Sequence, residues 1–183
     1  MAEPLQPHPQ SPPSAVERIE AEVERAGAHL SLRYLLVGDI GAIRLPPPAS
    51  PARIDRLWEH TCFEAFIRAS ADPGYFELNL APSGAWAAYR FSDYRMRMAV
   101  ADDVPAPRIE TRAGRDRFEL TAHVDLERSM GLLDHLPWHL ALAVVVEEKS
   151  GARSHWALAH PPGDPDFHHE DCFALELPPA AGG

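Results

Sequence analysis

The segment HPPGDPDFHHEDC, residues 160–172, gathers three histidines, three aspartates, Glu170 and Cys172 within thirteen positions. Imidazole, carboxylate and thiolate are the groups that hold zinc or iron. The same types, interspersed with Pro161, Pro162, Gly163 and Pro165, also build ordinary turns. Spacing favours the turn. The segment has no C-x-x-C, and none of its histidines pair at helical spacing. The adjacent His168 and His169 would point to opposite sides of an extended chain. We therefore expect a structured loop, tied by Asx-turns at Asp164 and Asp166, that frames a pocket and holds no metal.

Two further clusters carry chemistry. In WEHTCFE, residues 58–64, a strand would put His60, Cys62 and Glu64 on one face, about 6.6–7 Å apart in succession, with Phe63, Ala65 and Ile67 on the other. Trp86, Tyr89, Arg90, Tyr94 and Arg95 fall close together just after Glu77 and Asn79. A sugar packs its C–H face on an indole ring, while carboxylate, amide and guanidinium groups take its hydroxyls. Trp58, Trp86, Trp138 and Trp156 are thus stacking candidates. Trp138 and Trp156 lie in apolar runs and are read as core, and a core role is open for Trp86 and Tyr89 too. The expected ligand-binding set is Trp58, His60, Glu64, Asn79, Trp86, Tyr89, Arg95 and His168.

Catalysis has little to rest on. The chain has no G-x-S-x-G elbow, no H-E-x-x-H and no phosphate-binding glycine loop. Glu64 and Glu77 are the one conceivable glycosidase pair, so a non-catalytic role is expected. With 27 acidic against 17 basic residues and a formal charge of -10, no nucleic-acid partner is expected, because phosphates would be repelled. No run of about 18 apolar residues occurs, so no membrane helix is expected. The two cysteines, Cys62 and Cys172, make no disulfide framework, and reduced thiols in the cytoplasm are the simplest reading.

The elements that must position these groups are strands. ERIEAEVER and HLSLRYLLVG alternate with period two and read as a hairpin, although Glu and Ala would also suit a short helix. TCFEAFIRA, YFELNLAP and AWAAYRF read as a meander. PRIETRA with RFELTAHVDL, and WHLALAVVVEE with ARSHWALAH, read as two more hairpins, and CFALEL closes the fold. About nine strands with little helix predict an all-β antiparallel sandwich of jelly-roll or immunoglobulin-like form. If CFALEL pairs beside TCFEAFI, the loop histidines approach His60. The proline-rich residues 1–14 are expected to be a disordered arm, and 15–178 a single domain.

Three stretches also resemble a family. LWEHTCFEAFI (57–67), YFELNLAPSGAWAAYRFSDYR (75–95) and HWALAHPPGDPDFHHEDCFALEL (155–177) are similar, in order and wording, to bacterial DOMON-like proteins, relatives of the family 9 carbohydrate-binding modules. The resemblance implies a β-sandwich binding module whose ligand is a sugar or similar polar metabolite. Its alternative is a haem- or metal-binding protein, with Met96 or Met98 as axial candidates, or a module that binds a protein partner. The resemblance leaves any cofactor unknown.

Overall fold

The computed structural model describes residues 2–70, 73–130 and 133–179. Its strands are β1 (Glu3–Pro7), β2 (Val16–Ala26), β3 (His29–Gly38), β4 (Cys62–Ala69), β5 (Tyr75–Leu80), β6 (Trp86–Phe91), β7 (Ala99–Val100), β8 (Arg108–Ala113), β9 (Arg117–Asp125), β10 (Trp138–Glu147), β11 (Arg153–Ala157) and β12 (Leu175–Leu177). One turn of helix, α1 (Glu127–Met130), follows β9. Among the described residues twelve strands form where about nine were expected: β1 and the two-residue β7 are additions, and the expected closing strand CFALEL is shortened to β12. The hairpins β2–β3, β8–β9 and β10–β11 and the meander β4–β5–β6 form as expected.

The strands run in the order β7-β6-β5-β4-β10-β11-β1-β2-β3-β9-β8, and the ribbon curls at β1 into two packed antiparallel layers. Period-two patterning explains the layer built on β3 and β9. Leu30, Leu32, Tyr34 and Leu36 pair with Phe118, Leu120, Ala122 and Val124 on the buried side, and the opposite side is polar apart from Leu35 and Val37. Across the core these meet Phe63, Ala65 and Ile67 of β4 and Leu140, Leu142 and Val144 of β10. Tyr34 stitches the layers by donating its hydroxyl to the Glu64 carbonyl at 2.8 Å. β4, β5 and β10 differ from β3 and β9. They are buried on both faces, because loops cover their outer side.

Two expectations are corrected here. Residues 3–7 are not a disordered arm: Glu3–Leu5 pair with β2, and Gln6–Pro7 pair with β11. A proline gives no ladder donor, so it is tolerated where one side of the strand is unpaired. β1 meets that condition because each half is bonded on a different side. Leu5 is buried, Ser14 bonds Glu148, and His8 N–H bonds the His155 carbonyl at 2.8 Å. The last strand pairs with β10 rather than beside β4. β5 already occupies the far side of β4, leaving only the first residues of β10 open.

Gly38 ends β3 where the β2–β3 register shifts between Val16 and Arg18. Its φ is 151°, and a Cβ built there would lie 2.2 Å from the Ala15 carbonyl oxygen. Gly151 also has a positive φ, but open space lies around it. Gly38→Ala is expected to cost about 1–3 kcal/mol, more than Gly151→Ala. Urea unfolding of the two variants measures the difference, and equal midpoints would refute the crowding at Gly38.

A candidate ligand pocket on the outer face of the sheet

The register of β6, β5, β4 and β10 lays the outer face out in rows. One row runs Tyr89–Glu77–Phe66–Ala141, and the next runs Ala87–Asn79–Glu64–Ala143–Ala157. The sequence LALAVVV sends leucines inward and alanines outward. The alanine side leaves room over β10 for the loop between β11 and β12. That loop drops Phe167, Cys172 and Phe173 onto the sheet, while Leu57 and Trp58 of the preceding turn pack at another margin.

Between these covers lies a pocket of about 370 Å³. Glu64 and Glu77 form its floor, and Trp58, Phe91, Met98, Val145, Pro165 and Phe167 supply its apolar wall. Arg95, His155 and His168 complete it. Asp166 holds the rim. Its carboxylate accepts from Arg95 Nη2 at 2.7 Å, from the Tyr94 hydroxyl at 2.5 Å and from its own loop's His168 N–H at 3.1 Å. The last bond is the Asx-turn expected at that residue. Cys172 ties the loop down through contacts from Sγ to the Ala159 and Asp166 carbonyls. The loop is therefore structured and lines a pocket.

The two carboxyls are the chemical centre of the pocket. Glu64 and Glu77 are each only 3% exposed, yet Glu64 Oε1 and Glu77 Oε2 make no hydrogen bond. Asn79 donates to Glu77 Oε1 at 2.7 Å, and its own Oδ1 accepts from the Cys62 thiol at 3.5 Å. Burial lifts both acids in proton affinity. For Glu64 the nearby Glu77 adds to it. For Glu77 the Asn79 bond and the Arg95 charge oppose it, and the result is a pKa of about 7.

His168 sits above them, edge-on to Phe66 and Phe91 with ring centroids 4.9 and 5.1 Å away. Its Nδ1 lies 2.8 Å from the Tyr75 hydroxyl, which itself accepts the Arg95 N–H. A hydroxyl that donates to Nδ1 leaves the ring proton on Nε2, and Nε2 stands 3.8 Å from Glu77 Oε2. Burial, with Arg95 adding to it, pulls His168 down to about 4. The approach is thus between a neutral ring and a carboxyl, not an ion pair.

Of the residues expected from sequence, Trp58, Glu64, Arg95 and His168 line the pocket, and Asn79 supports its floor. Tyr89 lies buried beneath Trp58, with centroids 5.7 Å apart, and its hydroxyl donates to Asp55. Trp86 is core rather than a ligand contact: it is 5% exposed, faces inward and lies under the Arg53 guanidinium. Trp138 and Trp156 are core as expected. His60 is also outside the pocket. It follows the 3-10 turn Leu57–Glu59, ahead of the strand, so the alternation that places Cys62 and Glu64 does not reach it. Its ring is 65% exposed and meets Glu147 at 2.8 Å.

His169 does not line this pocket, and its Nδ1 accepts from Asp171 N–H at 3.2 Å. Among the described residues no three His, Cys, Asp or Glu side chains converge as metal ligands do. The sequence reading omitted Glu77, Phe91, Met98, Val145, His155, Pro165 and Phe167 from the binding set. Glu77 alone left a signal: it alternates with Asn79 on β5 and so must share its face.

No protein-family model matches the sequence, and no curated protein does. Among solved structures the chain is similar to a candidate carbohydrate-binding protein from Bacteroides uniformis, with a TM-score of 0.69 at 15% identity over 94% of this chain and 83% of that one. It is also similar to a family 9 carbohydrate-binding module from Caldicellulosiruptor kristjanssonii in complex with cellotriose, with a TM-score of 0.57 at 10% identity over 89% and 74% of the two chains. A family 9 module from the same organism in complex with glucose gives 0.50 at 14% identity, over 84% and 72%. At these identities the likeness is one of fold.

The floor makes a pH prediction. Folded Glu77 keeps a proton that the unfolded chain gives up near the ordinary carboxyl range. Its stabilising contribution is therefore complete below about pH 4 and lost as pH rises through about 7. His168, depressed to about 4, works in the opposite direction over much of that window, so the wild-type profile alone is ambiguous. Subtracting it from Glu77→Gln isolates the acid, and Gln can still accept from Asn79. The variant is expected to match wild type at low pH and to exceed it by about 3 kcal/mol above pH 7. Urea unfolding across this range measures the gap, and a pH-independent gap would refute the assignment.

Proposed function

We propose that this chain is a non-catalytic binding module whose pocket takes a sugar or a similar polar metabolite. One observation carries the reading: two buried carboxyls, each with one unbonded oxygen, line an open pocket walled by aromatic and apolar side chains. A buried acceptor without a partner is costly, and hydroxyls that approach from the pocket satisfy Glu64 Oε1 and Glu77 Oε2. The C–H faces of the same molecule pack on the wall. The volume falls in the range of small-ligand sites. The likeness to two modules crystallised with cellotriose and glucose supports the same class. The three sequence stretches resembling DOMON-like proteins support kinship with that branch. The buried, unpaired thiols of Cys62 and Cys172 support a reducing compartment, the cytoplasm.

Hydrolysis suits the floor poorly. A glycosidase needs one carboxyl kept protonated and another held firmly ionised, whereas burial raises both here. Haem suits it poorly as well. Met98 and His168 share the pocket, but Nδ1 of His168 is bonded to Tyr75 and Nε2 faces Glu77. An apolar porphyrin face would also rest on two carboxyls, and Met96 is exposed outside the pocket.

Two tryptophans separate binding from folding. Trp58→Ala is expected to weaken sugar binding at least tenfold in titration calorimetry, with little change in melting. Trp86→Ala is expected to cost about 3–5 kcal/mol of stability. A chain that binds no mono- or oligosaccharide in a glycan screen, or a Trp58→Ala variant of unchanged affinity, would overturn the proposal.

A further inference from the structure

We infer that the preferred ligand of this pocket bears an ammonium group, as an amino sugar does, seated between Glu64 and Glu77. The inference rests on the sugar-pocket reading and names its ligand class from the charges around the floor.

Every charged group that reaches the pocket can be assigned. Arg95 is the cation on the rim, and its guanidinium is spent on Asp166 at 2.7 Å. No ion pair joins it to Glu64 or Glu77 among the described residues. His168 and His155 are buried enough to favour their neutral forms, and His155 Nδ1 meets Ser11 at 3.0 Å. Arg95 acts on Glu77 only at a distance, and its ion pair is with Asp166, so neither floor acid has a cation paired to it. Both are far more than nine-tenths buried, and one oxygen of each is unbonded.

The hydroxyls of a neutral sugar can donate to the orphan oxygens, but they bring no charge to balance either acid when it ionises. An ammonium group supplies that charge. It brings three donors and no acceptor, which matches two orphan acceptors. Its charge, within about 4–6 Å of a carboxylate, favours the ionised acid. The aromatic wall suits the same ion, because ring faces attract cations in a dry site. The net charge of -10 also draws cations toward the protein.

The test compares three ligands of one ring type by calorimetry at about pH 7, just below the range of α-amino groups. Glucosamine carries the charge, glucose lacks the amine, and N-acetylglucosamine keeps the nitrogen without the charge. Glucosamine is expected to bind at least tenfold more tightly than either. Glu64→Gln and Glu77→Gln should each bring the ratio of glucosamine to glucose affinity toward one. Both variants keep the carboxyl's shape and lose its burial penalty, so melting curves should show them folded. Comparable binding of glucose and glucosamine by wild type would overturn the ammonium inference and leave the sugar pocket standing. If none of the three binds, the sugar reading falls, and the inference falls with it.

Discussion

The outer face of β4, β5 and β10 cannot be left to water, and most of what distinguishes this molecule follows from that. Phe66, Tyr75, Ala141, Ala143 and Val145 point away from the inter-layer core, where a two-layer sandwich would ordinarily carry polar side chains. Covering them requires loops, and loops bring backbone groups that need partners. The chain meets this with aspartate and cysteine contacts to main chain in residues 160–172, and with Asp166 linking two loops. The polar side chains that alternate into the same face, Glu64, Glu77 and Asn79, are then trapped beneath the cover. A pocket with a costly floor is a by-product of roofing a sheet with loops.

That arrangement trades stability for a site. Natural sequences break the rule of satisfied buried polar groups mainly where function uses the break. Among the described residues four buried side-chain polar atoms lack a partner, and two of them are the floor oxygens of Glu64 and Glu77, while the neighbouring Asn79 and Tyr75 are hydrogen-bonded. The inner core shows no such economy of partners: the Trp138 and Trp156 indole N–H groups each find an oxygen, as does the Tyr34 hydroxyl.

The hairpins and the meander were legible because alternation is a local signal. Leu30, Leu32, Tyr34 and Leu36 announce their face without knowledge of any other strand. Membership of the pocket was legible only as far as alternation reached. It placed Glu64 and Asn79 correctly, and it misplaced His60, which sits in a turn two residues before β4 begins. Trp86 obeyed the period too, but composition gave no sign that its side of β6 faced the core. Phe167 and Pro165 join the site only because a loop folds back across β10, a non-local event no spacing rule encodes, and His155 joins through the pairing of β11 that sets it beside Val145. The N-terminal arm was misread for a related reason. Its prolines signal disorder for a free chain, yet they are harmless in a strand bonded on one side at a time.

That last strand has a topological consequence. β1 is the seam where one curled ribbon becomes two layers, and only five residues hold both flanks. Were it to peel away, β2 and β11 would each present an open row of N–H and C=O groups, the template on which foreign strands add. The seam thus acts as a clasp whose opening creates two adhesive edges together. Self-association would then begin beside the loop roof, which follows directly on β11, and a second copy's β1 would be the best-fitting strand to close it.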